Sequence, residues 1–192
     1  MPLSKQLRMQ SNYSSYAHNY HPLCPLVPKH VLEPEDIWAI ARREPFLLTA
    51  ILTIASKDDS NVERTHQHCW DSLKKHMLDI LMAVPSTLNV GSVEGLLLLA
   101  EWVQYPLSGA TISAHAMPNQ NISVVEDNMA WSLIGQAIRH AYLLRLDRAS
   151  FREKLPGESQ EAQNRNRLAW TCTSGFLSPL CRDLIQQEQL SI

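Results

Sequence analysis

The sequence has few charged residues and only a small excess of acidic ones. Among its 192 residues, 17 lysines and arginines face 19 aspartates and glutamates, which gives a net charge of −2 at pH 7. The composition therefore lacks the basic excess typical of proteins that hold nucleic-acid phosphates or anionic lipid. Any contact with DNA would require a separate basic module. Hydrophobic residues make up 45% of the chain, so a folded domain is expected rather than wholesale disorder.

Cysteines are also few and scattered. The four of them, at positions 24, 69, 172 and 181, form no CxxC pair, and this spacing is typical of reduced thiols in an intracellular protein. The longest apolar run, "GLLLLA", falls far short of the roughly 20 residues that span a bilayer. The N-terminal "MPLSKQLRMQ" lacks the apolar core of a secretory signal. We expect a soluble intracellular protein that does not contact a membrane.

The fold class follows from the apolar pattern, which is helical throughout and nowhere alternates with the period of a strand. The chain is therefore predicted to be all-α. The predicted divisions are a disordered segment over residues 1–20, one helical domain over 21–176 with a long loop at 106–126, and a separate tail over 177–192. In the proline-rich start of the domain, Leu23, Leu26 and Val27 are expected to lie against a core.

Individual helices are marked by apolar periodicity and by prolines at their ends. The predicted helices span residues 44–56, 62–83, 92–105 and 128–148, and a fifth begins near residue 161. The first of these is apolar nearly all round, which indicates burial on several sides. The second has a core-facing stripe that comprises Cys69, Leu73, Met77, Ile80 and Leu81.

The stretch "NMAWSLIGQAIRHAYLLRLDR", residues 128–148, combines an apolar stripe with a glycine in its middle. The stripe comprises Ala130, Leu133, Ile134, Ala137, Ile138, Ala141 and Leu144. Gly135 costs about 1 kcal/mol relative to alanine in a helix interior, so we expect the backbone of another helix to approach closely there. The residues expected to point away from this stripe are Ser132, Gln136, Arg139 and His140.

The same stretch resembles a segment of the regulatory middle region of fungal binuclear zinc-cluster transcription factors, W-x-x-x-G-x-A-x-R-x-A-x-x-L-x-L-x-R. The matching residues are Trp131, Gly135, Ala137, Arg139, Ala141, Leu144, Leu146 and Arg148. Flanking segments resemble others of that region in the same order: "HPLCPLVPKHVL" its proline-rich lead-in, "PFLLTAILTIASKD" its first helix, "SVEGLLLLAEWVQY" its leucine-rich helix, and "RNRLAWTC", with Trp170, its Arg-Arg-Leu-Trp-Trp element. The resemblance covers residues 20–172, and the long insertion before the central helix is similar to the subgroup that regulates aromatic amino-acid catabolism.

Two departures from the family pattern limit what is carried over. Family members hold two zinc ions with a cluster of six cysteines, which four scattered cysteines cannot build, so no cofactor is expected in this chain. After "AWTC", the sequence "TSGFLSPLCRDLIQQEQLSI" does not resemble the family's continuation. We therefore expect a truncated helical array with apolar surface left unpaired, which favours poor solubility or a need for a partner.

The resemblance implies a regulatory or effector region that controls RNA polymerase II transcription of metabolic genes in the nucleus. The expected partners are the transcriptional machinery or co-regulators, with DNA reached only through a zinc-cluster module that this chain lacks. A homodimer through leucines 96–99 is the alternative to their burial in a core. Two other classes stay open: a stand-alone helical interaction module or decayed gene product, and an enzyme whose residues the sequence does not reveal.

Catalytic and metal-binding residues do not assemble in the sequence. "HQHC" supplies His66, His68 and Cys69, but positions 66 and 68 of a helix point about 200° apart, and a structural zinc site needs four convergent ligands. No activated nucleophile or glycine-rich phosphate loop is evident, so no enzyme activity is expected. We expect core positions for Trp131 and Trp170 and a solvated helix face for Arg139, Arg145 and Arg148.

Overall fold

The computed structural model describes residues 3–32, 37–57, 63–102, 122–153 and 155–175, and within these ranges it contains helices and no strands, which confirms the all-α class. The helices are α1 (Leu3–Asn19), α2 (Lys29–Leu32), α3 (Ile37–Arg43), α4 (Pro45–Ala55), α5 (Glu63–Leu81), α6 (Val90–Trp102), α7 (Ile122–Leu143), α8 (Leu146–Ala149) and α9 (Gln160–Gly175). A 3-10 turn, Pro85–Thr87, separates α5 from α6. No described helix combines the length and the apolar surface that crossing a bilayer requires.

Helix α6 lies at the centre of the molecule. Its leucines 96–99 are buried, and the helix packs against α4, α7 and α9. Asn89 caps its N-terminus, because the Asn89 side-chain oxygen accepts a hydrogen bond from the Ser92 backbone N–H at 2.9 Å. The leucine run is therefore core, and the alternative that these leucines form a dimer surface does not hold.

Helix α4 begins where the sequence predicts. Pro45 occupies its first turn, where the backbone N–H groups have no partner within the helix, so the N–H that proline lacks is not needed. Two threonines in this apolar helix satisfy their hydroxyls locally: Thr49 donates to the Pro45 carbonyl at 2.8 Å and Thr53 donates to the Thr49 carbonyl at 2.7 Å. Because these hydroxyls are hydrogen-bonded within the helix, α4 can be buried on several sides, as its nearly continuous apolar sequence predicts.

The prediction of disorder over residues 1–20 is wrong. Helix α1 covers most of this segment and packs against α4. Tyr13 and Tyr16 are buried, and the Tyr13 hydroxyl donates a hydrogen bond to the Val31 carbonyl. Tyr16 stacks on Tyr20 with ring centroids 6.0 Å apart, and Tyr20 meets Trp102 edge-on at 5.3 Å. The prediction relied on the polar composition and overlooked tyrosines that are three and four residues apart, the spacing of one helix face.

The lead-in after α1 is partly core. Leu26 and Val27 are buried as expected, but Leu23 is exposed. Along α5, which closely follows its predicted bounds, Leu73 and Ile80 are buried and Cys69 and Met77 are half-buried, whereas Leu81 is exposed. The stripe is therefore correct for four of its five predicted members, which are Cys69, Leu73, Met77 and Ile80.

Helix α7 differs from its prediction at both ends. It begins at Ile122, so residues 122–126 are helical rather than part of the loop predicted at 106–126. It ends at Leu143 rather than Arg148, because Arg145 adopts a left-handed conformation with φ 55° and the chain then restarts as α8. The rest of the predicted loop, residues 106–121, and the predicted tail, 177–192, lie outside the described residues.

Candidate functional site

The residues that carry the family resemblance divide between the core and the surface. Ala137, Ala141 and Leu146 are buried, Leu144 and Trp170 are half-buried, and Arg139 and Arg148 are exposed. Trp131 is 54% exposed, so its predicted place in the core is wrong. Trp170 packs edge-on against Tyr142 with ring centroids 5.5 Å apart.

The close approach predicted at Gly135 is also wrong. A Cβ built at this position meets no atom of the described residues within 4 Å. Close approach of a neighbouring helix occurs instead at a glycine of α6, where a Cβ on Gly95 would be 2.8 Å from the Phe46 ring. The Phe46 ring is buried and cannot easily move away, so Gly95 allows α4 and α6 to pack together.

Two polar residues predicted to point away from the apolar stripe of α7 are instead buried. His140 is completely buried and Gln136 nearly so. The Gln136 amide donates a hydrogen bond to the Ile80 carbonyl at 3.4 Å and lies 3.4 Å from His140 Nδ1, while Arg139 donates to the Gln136 side-chain oxygen at 3.2 Å. His140 Nε2 has no hydrogen-bond partner among the described residues. Burial lowers the pKa of His140, which favours the neutral ring.

The most distinctive polar arrangement is an ion triad in which Arg165 of α9 joins Glu44 and Glu94. Arg165 donates from Nε and Nη2 to the two Glu94 oxygens at 2.9 and 2.6 Å. It donates from Nη1 and Nη2 to the two Glu44 oxygens at 2.7 and 2.6 Å. The guanidinium thus makes a two-pronged contact with each carboxylate, the strongest geometry that such a pair adopts.

The triad is largely removed from water. The side chain of Glu94 is 0% exposed, that of Arg165 is 14% exposed, and that of Glu44 is 18% exposed. Burial raises the pKa of Glu94, although the hydrogen bonds and charge of Arg165 oppose that rise. Burial lowers the pKa of Arg165, but its hydrogen bonds to Glu94 and Glu44 outweigh this effect and the net shift is upward. Arg165 therefore stays charged between its two acids.

The Glu44 carboxylate lies between the N-terminal ends of α4 and α6. Glu44 directly precedes α4, and its side chain lies against the first turn of α6. A Cβ on Gly91 would be 2.5 Å from Glu44 Oε2, so the absence of a side chain at this position makes room for the carboxylate. The positive N-terminal ends of both helices favour a negative charge there.

An open cleft of about 530 Å³ adjoins the triad. The polar and charged residues of its lining are Glu44, Asn89, Arg152, Ser159, Glu161, Arg165 and Asn166, and the apolar ones are Leu88, Val90, Leu144, Leu146, Ala149 and Ala162. Arg152 is held in place by Glu158, with their side chains 3.2 Å apart. The volume lies in the range of small-molecule sites, and the lining combines ionic and apolar residues.

Histidine and cysteine side chains are the residues considered as metal ligands or nucleophiles. His66 Nδ1 lies 2.8 Å from the Ser56 hydroxyl, and in the ranges that the structure covers no three histidine, cysteine or acidic side chains converge as metal ligands. Burial raises the pKa of Cys24 to about 11 and also raises that of Cys69, so both thiols stay protonated and poorly nucleophilic near neutral pH.

None of the triad residues was a candidate at the sequence level. Glu94 did offer a signal, because it lies within "SVEGLLLLA", the most apolar helix of the chain. An acid on a helix that is buried all round needs a cationic partner. The partner lies 71 residues further along the chain, and no local pattern points to it.

Comparison of the chain with protein-family models, with curated proteins and with solved structures finds no match.

Proposed function

We propose that this chain is the regulatory region of a fungal transcription factor and acts in the nucleus on RNA polymerase II transcription of metabolic genes. Its partners would be the transcriptional machinery or co-regulators, and a separate zinc-cluster module would contact DNA. The observation that carries the proposal is the buried triad. Glu44, Glu94 and Arg165 lie in or beside three of the segments that resemble the family, and their ionic contacts hold these segments together.

A buried ion network suits a regulatory region for a physical reason. Regulation requires two packings of similar free energy, and a ligand shifts their populations only through its different affinity for each. Removal of one partner from a buried ion pair costs about 3–5 kcal/mol, so a partner or ligand that disturbs Glu44 or Arg165 can shift such an equilibrium. The exposed edge of the triad at the cleft offers the place where this can happen.

The direct test is a reporter assay in yeast. The chain is inserted between a heterologous DNA-binding module and an acidic activation segment, and the reporter is compared with that of the direct fusion. We expect the insert to lower reporter activity severalfold and the Arg165→Met variant to relieve this effect. Lys74→Met, which removes an exposed cation on α5, serves as the matched control. Equal reporter activity with and without the chain, at equal protein level, would overturn the proposal.

A stand-alone protein-interaction module is the second candidate. The observation that favours it is the outer surface of α7 and its connection to α8, where Trp131, Tyr142 and Leu143 are each more than half exposed, and aromatic residues are enriched in protein interfaces. For this class the reporter stays unchanged. Sedimentation velocity of the isolated chain should then show self-association that Trp131→Ala weakens.

A further inference from the structure

The charge in and around the cleft is unbalanced. Among the described residues of its lining and their ion-pair partners, the carboxylates of Glu44, Glu94, Glu158 and Glu161 stand against the guanidinium groups of Arg152 and Arg165. This leaves an excess of two negative charges, and an excess of one even when Glu94 is protonated. Cleft walls of low dielectric strengthen the resulting field and draw in cations.

Arg165 cannot neutralise this excess by itself. Its Nε, Nη1 and Nη2 atoms are all engaged by the two carboxylates. Each Glu44 oxygen accepts one of these hydrogen bonds, and a carboxylate oxygen has room for a second. Glu94 is fully buried, whereas Glu44 is partly exposed and lines the cleft. Glu44 is therefore the acceptor that an incoming cation can reach.

The helix ends around Glu44 reduce the negative charge without removing it. Each N-terminus contributes roughly half a positive charge, and α4 and α6 both begin beside Glu44. Helix α9 also begins at the cleft, where Ser159 and Glu161 are part of the lining, whereas the C-terminal end of α7, next to Leu144, contributes a partial negative charge of similar size. With all four carboxylates ionised, these partial charges leave the balance at the cleft negative.

The apolar part of the lining sets the shape of the molecule that fits. It comprises Leu88, Val90, Leu144, Leu146 and Ala149. A hydrated metal ion would gain nothing from this surface, and an anion would be repelled by the excess of carboxylates. A cationic head with an apolar body can use both the ionic and the apolar parts of the lining, while the Asn166 amide offers a further hydrogen bond.

We propose that the cleft binds an organic ammonium ion, with its charged nitrogen hydrogen-bonded to the Glu44 carboxylate and its apolar body against Leu144 and Leu146. The site goes beyond the proposed regulatory function, because such binding is measurable whatever the chain regulates. Burial raises the pKa of Glu94 and the charge of Glu44 adds to it. An ammonium at Glu44 reduces that negative potential, so binding should release protons.

The test is isothermal titration calorimetry of the whole chain with 2-phenylethylammonium, with 3-phenylpropionate as an anion of similar shape. We expect saturable one-to-one binding of the amine and none of the anion. Glu44→Gln should weaken the amine's affinity about tenfold or more, because it removes the charge-assisted hydrogen bond. Asp71→Asn, the same kind of change at an exposed site on α5, should leave the affinity unchanged.

A second variant keeps the test decisive if Glu44→Gln fails to fold. Leu88→Ala leaves the triad intact and shortens a partly exposed side chain in the apolar part of the lining, so it should weaken binding about threefold. In a 15N-labelled sample, the side-chain amide signals of Asn89 and Asn166 should move on titration. Equal binding of the anion, no saturable binding of the amine, or unchanged affinity in a folded Glu44→Gln or Leu88→Ala variant would overturn the proposal.

Discussion

Gly95 and Gly135 both lie inside helices, but Gly95 is crowded and Gly135 is not. Substitution by alanine should therefore have opposite effects on stability at the two positions. At Gly135 a methyl group enters open space, so Gly135→Ala should raise the free energy of unfolding by about 0.5–1 kcal/mol through helix propensity. At Gly95 the methyl would overlap the buried Phe46 ring, so Gly95→Ala should lower it by about 1–3 kcal/mol. Urea unfolding monitored by circular dichroism checks both. Loss of stability in Gly135→Ala would mean that another helix does pack there.

His140 should make stability depend on pH. Burial lowers its pKa in the folded state, whereas the unfolded chain titrates near 6.5. As pH falls through 6.5 the unfolded state binds the proton more readily than the folded state, so stability decreases. His140→Phe removes this titration and an unpartnered ring nitrogen. The drop in melting temperature between pH 7.5 and pH 5.5 should be smaller in the variant, and an equal drop would assign the effect to other groups.

At the scale of the element, α1 is an integral part of the core. Tyr16 is completely buried and its hydroxyl lacks a hydrogen-bond partner among the described residues. Tyr16→Ala should therefore lower the free energy of unfolding by about 3–5 kcal/mol, as a large aromatic deletion does. Tyr16→Phe keeps the ring and removes only the unsatisfied hydroxyl, so its stability should equal or exceed that of the parent chain.

Chemical denaturation of the two Tyr16 variants beside the parent chain measures both effects. A parent-like Tyr16→Ala would indicate that α1 does not dock on α4. The composition of α1 also explains why the sequence did not predict this helix. Its residues are polar on average, and the buried face is marked by Tyr13 and Tyr16, with the half-buried Tyr20 one residue beyond the end of the helix.

At the scale of the whole molecule, the triad ties together helices that are far apart in sequence. Arg165→Met leaves Glu44 and the fully buried Glu94 without their cation, so it should destabilise the fold by about 3–5 kcal/mol at pH 7. Protonation relieves this cost because it neutralises the carboxylates. The difference between variant and parent should therefore shrink as pH falls toward 4.5, the ordinary range of a glutamate pKa.

Urea unfolding of the Arg165→Met variant and the parent at pH 7 and pH 4.5 provides the measurement. Lys74→Met, which removes an exposed cation with a long contact to Asp71 at 3.5 Å, should change stability by less than about 1 kcal/mol at either pH. If the Arg165→Met difference were the same at both pH values, unpaired carboxylates would not be its cause.

Local patterns in the sequence determined the fold class, the approximate bounds of α4 and α5, and the approximate starts of α6 and α9. The prolines at 45 and 85 and the apolar repeats of α4, α5 and α6 are consequences of backbone geometry within a few residues, so they can be read without a partner in space. The same patterns predicted the burial of leucines 96–99, Ala137 and Ala141. The assignment to a family of transcription factors also came from the sequence, and it stays a prediction.

Tertiary structure alone decided which polar residues are buried and which glycine is crowded. Trp131 and Gly135 share a helix with Ala137, yet Trp131 is more than half exposed and a Cβ at Gly135 would meet no atom of the described residues within 4 Å, whereas His140 is buried in the core. Glu44 and Glu94 find Arg165 across 121 and 71 residues of chain. Helical periodicity says which residues share a face and does not say what that face meets. The triad and its cleft therefore exist only in the packed molecule.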